Sequence, residues 1–266
     1  MDISVEEDFS QFVRELIKNG SRIDDRDFND YRKIEVIRNF SKNAEGSCYV
    51  RLGNTQVLAG VKLEITEPFE DMPDEGVFVV NLEFLPAAHP EVQVGPPDDK
   101  AIEYARVVDR VIRESRFIKT KELVLEPGKA VWNIFVDIYV LNDDGNIIDA
   151  STIASVCALM ETVFPEYVKE GDKYLINYKK KTDKKLPLDL ERIPLNITFA
   201  KVGDKFILDP NRYEEMAADI IVHIGLSDMV NSLQIEKSGL LSLDEIESLI
   251  ENAKKARVKL LKKIIK

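Results

Sequence analysis

The spacing of apolar positions changes from helical to alternating soon after the start of the chain. Residues 5–19 place apolar side chains at helical spacing and end at Asn19-Gly20, which predicts an amphipathic N-terminal helix. Alternating runs rich in β-branched and aromatic residues then predict strands. These runs are 33–40, 47–52, 56–65 and 77–85. Between the second and third runs, Gly53-Asn54-Thr55 is a connection of the kind expected in a β-hairpin.

The middle and end of the chain repeat the order of strands followed by a helix. Helical spacing returns at residues 104–116, where a Gly-Pro-Pro turn ends the preceding extended segment and Asp98 or Asp99 can cap the first turn. Residues 131–141 form a nearly continuous apolar run, typical of a strand covered on both faces. Small residues at helical spacing over 149–163 predict a helix packed closely against a sheet. The later predicted elements are strands at 195–202, 205–208, 220–224 and 231–235 and a final helix from Leu243 to about Ile264.

This pattern predicts an α/β (α+β) fold built of two related β-α halves. The predicted organisation is an N-terminal helix and arm (1–30), a first half (31–177), a basic linker (178–187) and a second half with a long C-terminal helix (188–266). The linker is predicted because residues 178–185 carry five lysines and few apolar residues. Solvation is the usual role of such a run, and a contact with a nucleic acid is the less common one.

Composition limits the classes of function. Hydrophobic residues make up 44% of the 266 residues and charged residues 32%, with a net charge of -11, so bulk attraction to nucleic acid is excluded and any such contact has to be local or shared with a basic partner. No apolar run approaches the roughly 20 residues that span a bilayer, and we expect a soluble cytoplasmic protein. Cys48 and Cys157 are expected to be buried thiols. His89 and His223 lack metal-ligand spacing, so no metal or other cofactor is expected.

Three arginines in one predicted helix are the candidate binding residues. Arg106, Arg110 and Arg113 stand at positions i, i+4 and i+7, which brings their guanidinium groups onto one face. Acidic residues three or four positions away allow an ordinary interpretation, a helix surface covered by salt bridges. The choice of arginine over lysine favours a surface that holds phosphate oxygens, because the planar guanidinium fork is permanently charged and matches them.

Several short motifs together resemble the RNase PH family. Arg22-Ile23-Asp24-Asp25-Arg26 and the segment 45–57 resemble the opening of the family, with Asp25 where the family usually has glycine. Gly95-Pro96-Pro97-Asp98, leading into 103–115, narrows the resemblance to the RNase PH-type subunit of the archaeal exosome that lacks its own active site. The order and spacing of these motifs over most of the chain make the combination specific. The resemblance implies an RNase PH-like fold.

The chain has only part of the set of residues that phosphorolysis needs. A phosphorolytic nuclease must hold inorganic phosphate beside the terminal phosphodiester, and active relatives use an arginine loop for phosphate and acids after a Leu-Asp-Leu strand end. Here Leu208-Asp209-Pro210 precedes Glu214, Glu215 and Asp219 at a spacing two residues short, and 236–241 contains no arginine loop. We therefore expect no phosphate pocket and no catalytic residue. The alternative is a phosphorolytic 3′-to-5′ exoribonuclease active in its own right at these acids.

The resemblance implies a non-catalytic structural and RNA-binding subunit of an exosome core. Its implied partners are the catalytic RNase PH-type subunit, with three copies of each alternating in a hexameric ring, and cap subunits that carry RNA-binding domains. The implied substrate is the 3′ end of single-stranded RNA, and Arg106, Arg110 and Arg113 are the expected RNA-binding residues. A third hypothesis is a pure scaffold whose arginines only form salt bridges. No contact with a membrane is expected.

Overall fold

The computed structural model describes residues 3–171 and 173–265, with side chains from residue 8 onwards. The first two residues of the predicted arm, the side chain of Val5 and the last residue, Lys266, lie outside the described residues. In chain order the elements are α1 (Ile3–Lys18), β1 (Ile34–Arg38), β2 (Gly46–Leu52), β3 (Thr55–Thr66), β4 (Val77–Phe84), α2 (Asp99–Ser115), β5 (Val124–Glu126), β6 (Ala130–Asn142), α3 (Ile147–Glu161), β7 (Val163–Glu170), β8 (Lys173–Lys185), β9 (Leu195–Val202), β10 (Lys205–Leu208), α4 (Arg212–Ala217), β11 (Ile220–Leu226), β12 (Val230–Glu236) and α5 (Leu243–Ile264).

The first half is built on a sheet with the strand order β1-β2-β3-β6-β4, and β5 also pairs with β6. Adjacent strands in this sheet are antiparallel, except β4 and β6, which run parallel. The predicted hairpin joins β2 to β3, and Gly53 at its tip has φ +61°, a conformation that favours glycine. All five strand runs predicted in this half are strands in the structure.

The second half is a four-stranded antiparallel sheet with the order β10-β9-β11-β12. The long helix α5 packs on β9 and β11 through Leu249, Ala253 and Leu260, and α1 packs on α4 and β9 through Val13 and Ile17. The architecture confirms the predicted α/β fold of two β-α halves with an added N-terminal helix and a long C-terminal helix.

Helix α3 lies between the two sheets, with β2 and β3 on one side and β9 on the other. Thirteen of its fifteen residues are buried, which a helix can achieve only when it is covered all round. Its small side chains allow both sheets to approach closely, as the sequence predicts for this segment. These small residues are Ala150, Ser151, Ala154, Ser155 and Ala158.

Helix α2 has a fixed start and one exposed face. The side chain of Asp98 accepts a hydrogen bond from the Ala101 N–H at 2.8 Å, so Asp98 rather than Asp99 is the N-cap. The helix ends at Arg116, whose backbone is left-handed with φ 55°. Its apolar face packs against β4 and α3. The opposite face carries the three predicted arginines and stays exposed.

The lysine-rich segment predicted as a linker is mostly strand. β8 pairs antiparallel with β7, and we call residues 163–171 and 173–185 the β7–β8 ribbon. Pro165 faces Lys181, whereas its neighbour Glu166 faces Asn177, so that residues 178–180 bulge from the ladder. Proline has no N–H to continue the ladder at this point. Residues 178–185, predicted as an exposed linker, are mostly exposed, but they form the last part of strand β8 and not a loop. The composition did not distinguish the two, because lysines that cover an exposed ribbon have the composition of a loop.

Candidate functional site

Arg106, Arg110 and Arg113 share one exposed face of α2, as the sequence predicts. All three line a single open depression of about 500 Å³, together with Phe69 and Phe78. The helical spacing and the fixed N-cap of α2 bring the three side chains together, because residues three and four positions apart are neighbours on a helix surface.

The three arginines differ in how many hydrogen bonds they make within the chain. Arg113 donates from Nε and Nη2 to the two carboxylate oxygens of Asp109 at 2.8 and 2.7 Å, and from Nη2 to the Phe78 carbonyl at 2.7 Å. The hydrogen bonds to Asp109 raise the pKa of Arg113. Arg110 donates to Gln234 at 3.5 Å. Arg106 makes no hydrogen bond or ion pair with any residue that the structure describes. Arg106 and Arg110 are therefore the cations best able to hold an added anion.

Asp209, the acid that follows β10, is fully buried beneath two arginines. Arg32 donates from Nη2 and Nε to its two carboxylate oxygens at 2.8 and 3.0 Å, and Arg26 donates from Nη1 at 3.0 Å. Burial disfavours the Arg32 cation, but the Asp209 carboxylate outweighs that effect and raises the pKa of Arg32. Asp209 thus ties the N-terminal arm to the second half and has no exposed oxygen.

Glu214 is buried in an ion pair with Arg22. Arg22 donates from Nε at 2.8 Å and from Nη2 at 2.6 Å to the two carboxylate oxygens, a bidentate geometry with both side chains fully enclosed. Glu214 also accepts the Asn211 N–H at 2.9 Å and so completes the capping box of α4. From the sequence, Arg22 supported only the family resemblance, and this ion pair was not predicted.

Glu215 lies at the N-terminus of α3. Its Oε1 accepts the backbone N–H of Asn146 at 2.7 Å, and the Asn146 side-chain amide donates to Asp149 at 2.9 Å and to Asp209 at 2.7 Å. The N-terminus of a helix attracts anions, and here the carboxylates of the chain itself occupy that end. Burial, with the nearby Asp143 charge, raises the pKa of Glu215 to about 7.

Asp219 is also engaged by neighbouring groups. It accepts a hydrogen bond from Arg14 at 2.8 Å and one from the Gly203 N–H at 2.7 Å. Burial opposes the charged form, but the Gly203 N–H and Arg14 stabilise it more, and the pKa of Asp219 is lowered. Each of the acids that follow β10 therefore has a structural partner within this chain.

A buried polar network around Asp149 escaped the sequence analysis. Asp149 accepts hydrogen bonds from Tyr31 at 2.6 Å, from the Thr198 hydroxyl at 2.7 Å and from Asn196 at 2.8 Å, and burial raises its pKa. His223 contacts the same Thr198 hydroxyl at 2.9 Å. The sequence signal for this network was Asp149 itself, a charged residue among the small and apolar positions of α3. The network fixes α3 against β9 and against Tyr31, which lies just before β1.

No group of three or more His, Cys, Asp or Glu side chains within the described parts of the chain could hold a metal ion. Cys48 and Cys157 are buried free thiols, as predicted. No helix in residues 3–171 or 173–265 is both long and apolar enough to cross a membrane.

Comparisons with known proteins agree with this architecture. Residues 30–165 match the 3′ exoribonuclease family, domain 1, and residues 192–256 match domain 2 of the same family. The chain is 42% identical over 247 residues to the exosome complex component Rrp42 of Thermococcus gammatolerans, covering 91% of this chain and 89% of that protein. It is 43% identical over 235 residues to the Rrp42 of Archaeoglobus fulgidus, covering 88% of this chain and 86% of that protein.

Solved structures give the same result. The Archaeoglobus fulgidus exosome with RNA bound to the active site contains a chain with a TM-score of 0.85 and 38% identity, covering 96% of this chain and 99% of that one. An archaeal exosome core gives a TM-score of 0.84 and 36% identity, covering 98% of each chain. Rice Rrp46, at 20% identity and a TM-score of 0.68, shares the fold. The resemblance read from the short motifs is confirmed, and the chain belongs to the 3′ exoribonuclease (RNase PH) family.

Proposed function

We propose that this chain is a non-catalytic ring subunit of an exosome core. It alternates with three copies of a catalytic RNase PH-type subunit in a hexamer, beneath RNA-binding cap subunits, and holds single-stranded RNA for 3′-to-5′ phosphorolysis by that partner. The Rrp42 relatives, which are named as exosome components, and the archaeal exosome core structures support membership of such a ring.

The observation that carries the non-catalytic role is the state of the acids after β10. A catalytic acid, or a group that positions a reacting phosphate, has to reach the substrate. Asp209 and Glu214 are fully buried in arginine pairs, Glu215 caps α3, and Asp219 is held by Arg14. The alternative, an exoribonuclease active in its own right at these acids, is therefore not favoured.

The exposed face of α2 supplies the RNA contact in this proposal. Arg106 and Arg110 project from a fixed helix and have almost no competing partner within the described chain. Contacts from arginine to phosphate bind RNA without reading its sequence, and their affinity falls as salt displaces them. Arg113 contributes by closing the edge of the depression while it stays paired with Asp109.

The first test is phosphate-dependent degradation of a single-stranded RNA. We expect the purified chain alone to release no nucleoside diphosphates, and we expect strong release after it is mixed with a purified catalytic RNase PH-type subunit. Phosphate-dependent release by the chain alone would overturn the proposal and direct attention to Glu215, the acid with the raised pKa.

The second test separates RNA binding from scaffolding. We expect Arg106→Glu combined with Arg110→Glu to form a ring of normal size with much weaker RNA turnover, because the reversed charges repel phosphate. The matched control is Arg51→Glu with Lys255→Glu, the same charge change at two exposed positions on other elements. Loss of ring assembly in the arginine variant alone would instead favour the pure scaffold.

A further inference from the structure

The β7–β8 ribbon is locally basic in an acidic protein. Residues 163–185 contain seven lysines and four acidic residues, whereas the whole chain has a net charge of -11. The ribbon has two strands only and exposes apolar side chains on its surface, including Val168 and Leu175. An exposed surface that is both basic and apolar fits an anionic partner with flat apolar groups.

The bulge in β8 carries two of these lysines next to an anchored tyrosine. Tyr178 donates from its hydroxyl to the Leu63 carbonyl at 3.3 Å, and the Lys62 ammonium lies 4.6 Å from the centre of its ring. Lys179 and Lys180 follow directly within the bulge and are exposed. Lys180 lies 3.4 Å from Glu166, with both side chains largely in solvent, and such a surface pair is weak.

An aromatic pocket of about 350 Å³ lies beside this bulge. Its walls include Trp132, Phe164 and Tyr167, and the Tyr167 ring, 42% exposed, stands edge-on to Trp132 at 5.6 Å between ring centres. Asn177 and Thr182, which flank the bulge on either side, also line the pocket. The Lys184 ammonium is at the pocket as well, 5.3 Å from the centre of the Phe164 ring.

We propose that the β7–β8 ribbon is a second contact for single-stranded RNA, separate from the arginine face of α2. One base stacks on Tyr167 in the aromatic pocket, and neighbouring phosphates lie against Lys179, Lys180 and Lys184. Aromatic platforms beside basic grooves bind single strands in this way without sequence preference, because every base has a flat face and every nucleotide a phosphate. The inference rests on the proposed function, since it takes RNA as the partner of the assembled ring.

The test uses the complete ring and a labelled single-stranded RNA, with binding measured over a series of salt concentrations. We expect Lys179→Ala with Lys180→Ala to lower the slope of log affinity against log salt by about 1.4, because each phosphate contact on a single strand contributes about 0.7. Lys254→Ala with Lys255→Ala removes two exposed lysines of α5 and should leave the slope unchanged. An unchanged slope in the ribbon variant would overturn the inference.

A second variant tests the base. Tyr167→Ala should weaken RNA binding by about fivefold to a hundredfold, the range for loss of one stacked base, whereas Tyr167→Phe keeps the ring and should bind like the unchanged protein. Ultraviolet cross-linking of the bound RNA should yield at least one cross-linked peptide within residues 163–185. Cross-links confined to other segments, or equal binding by both Tyr167 variants, would contradict the stacked base.

The outcomes also separate this inference from the proposed function. If reversal of Arg106 and Arg110 weakens RNA binding by the ring while the ribbon variants do not, the inference fails and the proposed function stands. If the ribbon variants release a protein subunit and leave RNA binding intact, the occupant is a protein and the inference fails. Failure of the proposed function is distinct, because the unchanged chain would then form no ring or would degrade RNA alone.

Discussion

Arg22 shows how much of the fold one side chain can hold. It is 1% exposed and donates hydrogen bonds to the carboxylate of Glu214 and to the carbonyls of Asp27, Leu208 and Asp209. The guanidinium fork therefore joins the N-terminal arm to β10 and α4. A buried cation of this kind depends on its counter-charge, because the desolvation cost is offset only by pairing and hydrogen bonds.

Glu214→Gln tests that dependence. We expect a loss of about 3–5 kcal/mol in the free energy of unfolding, since Arg22 would stay buried with its charge uncompensated. Urea unfolding measures the change. Glu251→Gln is the matched control, because Glu251 forms an exposed pair with Lys254 at 2.6 Å, and its loss should change the free energy of unfolding far less. Similar losses in the two variants would show that the buried Arg22–Glu214 pair contributes no more to stability than an exposed pair.

Titration of Glu215 should make the free energy of unfolding depend on pH. Burial raises its pKa from 4.5 to about 7, so between these values the folded chain binds more protons than the unfolded chain, and stability falls as pH rises through that window. Glu215→Gln removes the titration and keeps an oxygen for the Asn146 N–H. We expect the variant to gain stability relative to the unchanged chain between about pH 4.5 and 7.5 in urea unfolding. If the difference in stability between Glu215→Gln and the unchanged chain did not vary with pH, the raised pKa of Glu215 would not be its cause.

The sequence could identify many of these residues but not their partners. Asp98 and Asp99 were both possible caps, and only the backbone geometry selects Asp98. Asp25 departs from the glycine that the resemblance implies, and its φ of 57° lies in the region that favours glycine. Arg22 and Glu214 are 192 positions apart, so no local pattern could pair them.

At the scale of elements, the pattern of apolar positions predicted the long helices and most of the strands. The predicted final helix has the bounds of α5, and the longer predicted strands differ from the observed ones by one or two residues. The missed elements are β5, β7, β8 and α4. The helix α4 has six residues, and β8 buries no continuous apolar stripe, so neither produces a strong period.

The cap of α2 sets the position of the arginine face and can be tested directly. Asp98→Ala removes the hydrogen bond to the Ala101 N–H, and we expect a loss of about 1 kcal/mol, or about 2–4 °C in the melting temperature. Asp99→Ala is the control, because Asp99 lies in the first turn without capping and should cost only a few tenths of a kcal/mol. Calorimetry compares the two variants. Equal shifts would contradict the assignment of the cap.

At the scale of the whole molecule, the two halves, which match domains 1 and 2 of the family, share one hydrophobic core. Helix α3 is covered by the first sheet on one side and by β9 on the other, and a single cluster of buried residues includes side chains from both sheets. Asp149 in α3 accepts hydrogen bonds from Asn196 and Thr198 of β9. Separating the halves would expose an apolar helix face and leave buried polar groups without partners, which is unfavourable for each half.

We therefore expect the full chain to unfold in a single transition. Trp132, the one tryptophan of the chain, reports on the first sheet by fluorescence, and far-UV circular dichroism reports on both halves. The two signals should give the same midpoint in urea, because loss of the second sheet removes one wall of α3. A fragment of residues 1–187 should lack the cooperative transition. Separate midpoints, or a cooperative fragment, would show that the first half is stable alone and that the contacts of α3 with β9 are dispensable.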